Sequence, residues 1–177
     1  MAGLSSVMAI TRPLGEVNLA AMNRCAGVYR VYLIGGGGGG GDYWGPLGFY
    51  GGAGSSGVVT DQSIRFVPPS ELTAGAGGGK GSNGSAGYSG GVSSILDARS
   101  VSLSAAGGSG GISPTDRQSY TPAVASTQYV QNTGARFSVT ITSLEPPPPY
   151  DILLLGKGGG STEYGQTGGI IKAFRIG

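Results

Sequence analysis

The chain has 177 residues, of which 38 are glycine, about three times the usual share of that residue. Only 11% of the residues are charged and the net charge is +2, with no block of like charges, which argues against nucleic-acid binding. The sequence has no histidine and one cysteine, Cys25, so it lacks the commonest general base, an internal disulfide and a cysteine metal cluster. These features disfavour an enzyme and a cofactor, and they fit synthesis in a reducing cytoplasm.

Glycine and serine enrichment also occurs in disordered linkers. Here, however, 38% of the residues are apolar and few are charged, the opposite of the usual signature of disorder. We therefore predict a folded chain that is mainly β and irregular, in which short strands are joined to a glycine-rich bundle. At most one short helix is expected, near the N-terminus.

Residues 1–27 are expected to form an arm and this short helix. Residues 16–26 contain good helix formers, with Glu16 in the first turn, Arg24 in the last and Gly27 as a C-terminal stop. No run of about 18 apolar residues is long enough to cross a bilayer, and no signal-peptide pattern occurs at the N-terminus. We expect neither a membrane anchor nor a signal peptide.

From residue 28 onward, short β-prone strings run repeatedly into glycine. The four instances are residues 28–34 before the seven glycines 35–41, residues 64–67 and 71–73 before the tract 75–91, residues 100–104 before 105–111, and residues 151–155 before 156–169. Further strands are predicted at residues 58–60, 136–142 and 170–176.

The glycine tracts are too long for turns, and as strands they would gain no side-chain packing. Polyglycine II is the natural alternative, a threefold extended helix that rises about 3.1 Å per residue. Such a helix has no internal hydrogen bonds, but glycine lets several helices approach and bond laterally through their backbones. We predict a bundle of this kind.

The order of these segments resembles a known family. VYRVYLIGGGGGGG, IRFVPPSELTAGAGGGKG, VSLSAAGGSGG and GQTGGIIKAFRI follow one another as in the glycine-rich domain of bacteriophage tail fibres and minor tail proteins, over residues 28–111 and 152–177. The chain is similar in kind to the distal adhesins of T-even-like phages, in which polyglycine II helices display receptor-binding loops. It is much shorter than those adhesins, and residues 112–150 contain no glycine tract.

We expect two parts, an N-terminal arm with a short helix over residues 1–27, for attachment to the virion, and a glycine-rich domain over 28–177 with a loop insertion at 112–135. The resemblance implies a location in the virion, with other virion proteins and a host receptor, either a protein or a glycan, as partners. Fibre proteins are often trimers, but the sequence carries no heptad or trimer signature.

Motifs that suggest phosphate binding or acid–base chemistry lack the residues that would perform it. Residues 74–81 (AGAGGGKG) lack the first glycine and the final hydroxyl of a phosphate-binding loop, and the acidic residues are scattered singly. Residues 146–150 (PPPPY) contain a PPxY pattern, which is read as a stiff spacer. Residues 83–85 (NGS) are read as a tight turn.

Aromatic residues are the candidates for binding, because tyrosine and tryptophan combine a large rigid surface with a polar group. They either contact a receptor or partner or cap the bundle as a hydrophobic cluster. The first group, in one loop, comprises Tyr43, Trp44, Phe49 and Tyr50, and the weaker candidates are Tyr88, Tyr120, Tyr129 and Tyr164.

Three functions follow from this reading. The first is a tail-fibre or tail-tip adhesin that presents loops to a host receptor. The second is a purely structural virion protein without receptor contact. The third is ice binding by a polyglycine bundle, which the irregular glycine spacing and Cys25 disfavour.

Overall fold

The computed structural model describes residues 15–16, 22–100, 102–125, 131–132 and 155–176. The elements in chain order are β1 (Gly15–Glu16), β2 (Gly27–Ile34), β3 (Tyr43–Trp44), β4 (Phe49–Tyr50), β5 (Val59–Phe66), β6 (Glu71–Thr73), β7 (Ser93–Leu96), β8 (Ser102–Ala105), α1 (Pro114–Arg117), β9 (Gln131–Asn132) and β10 (Gly169–Arg175). About 4% of the residues are helical and none of the described helices reaches seven residues, which confirms the prediction of a mainly β and irregular fold with little helix. The helix α1 lies far from the N-terminus, however, where the short helix was expected.

Two sheets form one end of the molecule. The larger has the strand order β1-β10-β2-β5-β9, and the smaller has the order β6-β7-β8. The long central pair β2 and β5 is antiparallel and in continuous register from Gly27 opposite Phe66 to Ile34 opposite Val59. The short strand β9 runs parallel to β5 at the sheet edge.

The hydrophobic core lies between these sheets. Both faces of β2 are buried from Val31 to Ile34, and Tyr29, Val31 and Leu33 share the face that enters the core. They pack in one cluster with Ile95 and Leu103 of the smaller sheet. The core therefore consists mainly of strand residues whose side chains can interdigitate, and it does not extend into the glycine segments.

Beyond β2 the chain continues as an extended segment, residues 35–42, whose hydrogen bonds repeat every three residues. We call it the axial segment. The amides of residues 35, 38 and 41 donate to the carbonyl oxygens of residues 58, 55 and 52. The amides of residues 36, 39 and 42 donate to those of residues 91, 88 and 85, and the amides of residues 37 and 40 donate to those of residues 166 and 163. Three residues per turn with lateral bonding is the arrangement of polyglycine II.

Six further extended segments surround the axial segment. These ring segments are residues 51–58, 75–81, 85–91, 106–112, 156–162 and 163–168. Segments 51–58, 85–91 and 163–168 run antiparallel to the axial segment, and their carbonyl oxygens accept hydrogen bonds from its amides. The other three segments run parallel to it and donate to its carbonyl oxygens, through the amides of residues 78 and 81, 108 and 111, and 159 and 162. Neighbouring ring segments also bond to each other, so the ring is closed.

Glycine is required in the axial segment by space. Gly35 through Gly41 are all buried, and a Cβ atom on any of them would lie closer than 3.0 Å to a backbone atom of a ring segment. The predicted polyglycine II bundle is therefore present, with backbone-to-backbone bonding in place of a side-chain core.

Most predicted strands near the glycine tracts agree with the structure. Residues 28–34, 71–73 and 170–176 correspond to β2, β6 and β10, and residues 58–60 and 64–67 belong to the single strand β5. Residues 100–104 overlap β8. The strand predicted at 136–142 lies outside the described residues, as do residues 151–154 of the strand predicted at 151–155, whose last residue, Leu155, lies in a bend.

The predicted N-terminal helix is wrong at its start. Gly15 and Glu16 form β1, in which Glu16 lies opposite Phe174. The edge of β10 offers backbone partners there, and a short isolated helix is marginal without packing. Met22 is helical and is followed by a turn, while residues 17–21 lie outside the described residues. Met22 is fully buried in the core, so this segment is anchored by packing.

Candidate functional site

The end of the bundle opposite the sheets carries the connections between the extended segments. Each strand that leads into the bundle points toward this end, and each segment that returns from it leads back into a strand. We call this end the tip, and it comprises residues 42–50, 82–85, 113–123 and 161–163.

A short hairpin forms the first part of the tip. β3 and β4 pair antiparallel, with Tyr43 opposite Tyr50 and Trp44 opposite Phe49. The rings of Tyr43 and Tyr50 lie 4.7 Å apart between centroids, close enough to support each other. Gly48, with φ of 70°, allows the tight reversal between the strands.

A strap of residues 113–125 packs beside the hairpin. It begins with α1, for which Ser113 is the N-cap and Pro114 occupies the first turn, a pairing that sets the helix start. Ser119 then forms a bridge with Tyr50 of the hairpin. The Tyr120 ring packs edge-on against Phe49 at 4.9 Å between centroids.

Arg117 fastens the strap to the hairpin. Its Nη1 atom donates to the carbonyl oxygens of Tyr50 and Gly51 at 3.2 Å each and to that of Thr121 at 2.6 Å. A guanidinium that bonds three carbonyls from two segments holds them in one geometry. Ser161 adds a second connection, since its hydroxyl donates to Gly51 and accepts from the amide of Ala123.

The third part of the tip is the turn at residues 82–85. Its Ser85 amide donates to the Ser82 carbonyl at 3.1 Å, and the Asp42 carboxylate accepts from the Gly84 amide at 2.9 Å. The Trp44 indole occupies the space where a Gly84 side chain would lie. Asp42 at the end of the axial segment and Trp44 of β3 therefore both hold this turn.

The surface of the tip is rich in aromatic residues and also exposes the acidic residues Asp116 and Glu163. Tyr120 is 72% exposed, Leu47 50% and Tyr43 42%, while Trp44, Phe49 and Tyr50 are partly covered. The charged groups among the described residues here are engaged locally. Asp42 and Arg117 bond as above, Asp116 accepts from the Ser113 hydroxyl at 2.7 Å, and Glu163 accepts from the Gly160 amide at 2.9 Å.

The tip unites five of the eight aromatic residues singled out from the sequence, Tyr43, Trp44, Phe49, Tyr50 and Tyr120. Tyr88 and Tyr164 lie instead on the flank of the bundle, where they are 64% and 63% exposed. The Tyr88 ring covers Gly79, and the Tyr164 ring lies 5.7 Å from Lys80 Nζ. Tyr129 lies outside the described residues.

The residues that organise the tip were missed by the sequence reading. Asp42, Arg117 and Ser161 are polar residues in loops, and nothing in their local sequence says which carbonyl or amide they reach. The start of α1 did carry a signal, because serine, proline and aspartate at residues 113, 114 and 116 form a helix N-terminus.

Comparison of the chain with protein-family models, with curated proteins and with solved structures finds no match. Within the described ranges, no helix has the length and apolar character needed to cross a membrane. Among the same residues, no three cysteine or acidic side chains are grouped as a metal ion requires.

Proposed function

We propose that the chain is a bacteriophage tail-fibre or tail-tip protein whose tip binds a receptor on the host cell surface. The observation that carries the proposal is the exposed apolar surface of Tyr43, Tyr120 and the aliphatic Leu47, fixed at one end of a bundle that is bonded throughout by its backbone. Aromatic side chains on a rigid support bind with little loss of conformational freedom. The protein acts by binding, without catalysis.

The strap supports this reading in a second way. Residues 113–125 lengthen the chain at the tip, and Arg117 and Ser161 serve to hold Tyr120 and its neighbours in place. A loop that is long, fixed and exposed is typical of a binding site on a stable scaffold. The family resemblance of the glycine segments points to the same role.

Adsorption to cells tests the proposal. Purified chain at saturating concentration should occupy receptors on susceptible cells and block adsorption of the phage that encodes it. Tyr120→Ala should weaken this block at least about tenfold, as for a residue at the centre of an interface. Tyr88→Ala is the matched control, because Tyr88 has a similar exposure, 64% against 72% for Tyr120, but lies on the flank. No block by the wild-type chain would refute receptor binding.

A structural role in the virion, without receptor contact, is the second candidate. It is favoured by three exposed apolar residues, Tyr88 on the ring segment 85–91, Leu96 at the end of β7, and Val92 between these two elements. In that case Tyr88→Ala should impair particle assembly, and Tyr120→Ala should leave host range and adsorption unchanged. The same pair of variants therefore separates the two candidates.

A further inference from the structure

The turn at the tip contains a reactive pair of residues. Asn83 is the only asparagine of the chain that is followed by glycine. In an Asn-Gly pair, the backbone nitrogen of the glycine can attack the asparagine side chain, because glycine has no side chain to obstruct the approach. Asn83 is exposed to solvent, so water and base can reach it.

The turn holds this pair in a defined conformation. Asn83 has φ of 53° and Gly84 has φ of 76°, so both residues are left-handed, as in a type I′ turn. The turn is closed by the Ser85 amide on the Ser82 carbonyl, and the Ser82 amide donates in turn to the Ser85 hydroxyl at 3.0 Å.

The attacking nitrogen is itself restrained. The Gly84 amide donates to Asp42 Oδ2 at 2.9 Å, a charge-assisted hydrogen bond that links the turn to the end of the axial segment. The Asp42 amide donates back to the Ser85 carbonyl at 3.0 Å. Trp44 covers Gly84 from the side. To reach the asparagine side chain, the Gly84 nitrogen must lose its proton and leave Asp42.

We infer that Asn83 is a site of spontaneous deamidation at the tip and that Asp42 controls its rate. The Gly84 nitrogen loses its proton and forms a bond to Asn83 Cγ, and the side-chain amide leaves as ammonia. The resulting cyclic imide is opened by one water molecule to aspartate or isoaspartate. Water is the only co-reactant and no electrons are exchanged.

The product changes the tip. Either acid places a new negative charge on the residue next to Gly84, whose amide is bonded to the Asp42 carboxylate, and like charges repel. Isoaspartate also adds a backbone carbon atom to a turn that is closed at both ends, so the contact with Asp42 and the cover by Trp44 cannot both be kept. The modification therefore disturbs the contacts that hold the turn at the tip, whatever the tip binds.

Mass spectrometry of the intact chain, incubated at neutral pH and physiological temperature, measures the reaction at Asn83. Asp42→Ala removes the acceptor and should raise the deamidation rate about tenfold, as expected for loss of one charge-assisted hydrogen bond. Asp42→Asn is the matched control, since it keeps an acceptor oxygen of the same shape without the charge, and its rate should lie between those of the wild type and Asp42→Ala. Equal rates in Asp42→Ala and wild type would overturn the inference.

A second measurement needs no variant. Wild-type chain unfolded in denaturant should deamidate at Asn83 at least about tenfold faster than native chain, because unfolding releases the Gly84 amide from its partner. An isoaspartate assay on the same samples identifies the product. Equal rates in the native and unfolded chain would contradict control by the folded turn, even if Asp42→Ala failed to fold.

Discussion

The carbonyl oxygen of Ser109 occupies the space that a side chain on Gly38 would need. Gly38 lies at the middle of the axial segment, where its amide donates to Ser55 at 2.9 Å and its carbonyl accepts from Gly159 at 2.8 Å. One residue thus bonds or contacts three ring segments through backbone atoms alone. The stability of the bundle depends on this closeness, because it replaces the packing of side chains.

Gly38→Ala should therefore destabilise the protein strongly. The added methyl group meets backbone atoms that cannot rotate away, so the ring must separate at that level, at a cost of about 3 kcal/mol or more. Chemical denaturation followed by circular dichroism measures the change in the free energy of unfolding.

The matched control for that experiment is Gly45→Ala. Gly45 is exposed in the hairpin turn, and a Cβ atom there would meet only the Tyr43 ring at 3.9 Å, an ordinary contact. Its effect should stay within about 0.5 kcal/mol. A similar loss in both variants would mean that alanine acts through the conformational freedom of glycine and not through the close packing of the bundle.

Arg117→Gln should loosen the strap without unfolding the protein. The shorter amide cannot bond the carbonyls of Tyr50, Gly51 and Thr121 together, so Tyr120 loses its fixed position. Hydrogen exchange of residues 113–125 should become faster, while the sheets remain protected. Adsorption to host cells should weaken in parallel. Arg65→Gln, at an exposed position on β5, serves as the control and should change neither measurement.

Asp97→Ala should destabilise the sheet end. The Asp97 side chain is fully buried, accepts from the Val67 amide at 3.1 Å and pairs with Arg99 at 2.9 Å. Its removal leaves a buried amide without its acceptor, which costs about 1–3 kcal/mol. Asp97→Asn keeps an acceptor oxygen and should lose less. Thermal unfolding of the two variants gives the comparison, and equal stability of Asp97→Ala and wild type would contradict the role of this carboxylate.

Gly84→Ala should displace the only tryptophan of the chain. A Cβ atom at Gly84 would lie on the Trp44 ring, and φ of 76° is strained for alanine. Trp44 should then become more exposed, which shifts its fluorescence emission to longer wavelength. Unchanged emission would show that Trp44 does not depend on this turn.

The strand-to-glycine units could be predicted from the sequence because both parts are local patterns. Residues 28–34 form a short run of β-branched, aromatic and other apolar residues, as in a buried strand, and seven glycines have no side chains with which to pack as a strand. Because polar residues lie between 60 and 64, the sequence predicted two strands where the structure has the single strand β5. One of these polar residues, Asp61, pairs with Arg30 of β2. β7 was missed because Ile95 is its only large buried side chain.

The arrangement of the ring and of the tip could not be predicted in the same way. Every glycine offers the same amide and carbonyl, so the sequence does not say that Gly38 meets Ser55, Ser109 and Gly159. The aromatic residues were visible, but only the fold separates Tyr120 at the tip from Tyr88 on the flank. That separation depends on Arg117, whose partners are backbone atoms distant in sequence.

The most direct test of the proposed function is the position of the chain in intact phage particles, determined by cryo-electron microscopy. The proposal predicts a compact bundle at the distal end of the tail or tail fibre, with Tyr43 and Tyr120 facing away from the particle. A bundle on the capsid, or one whose tip is buried against another virion protein, would contradict it.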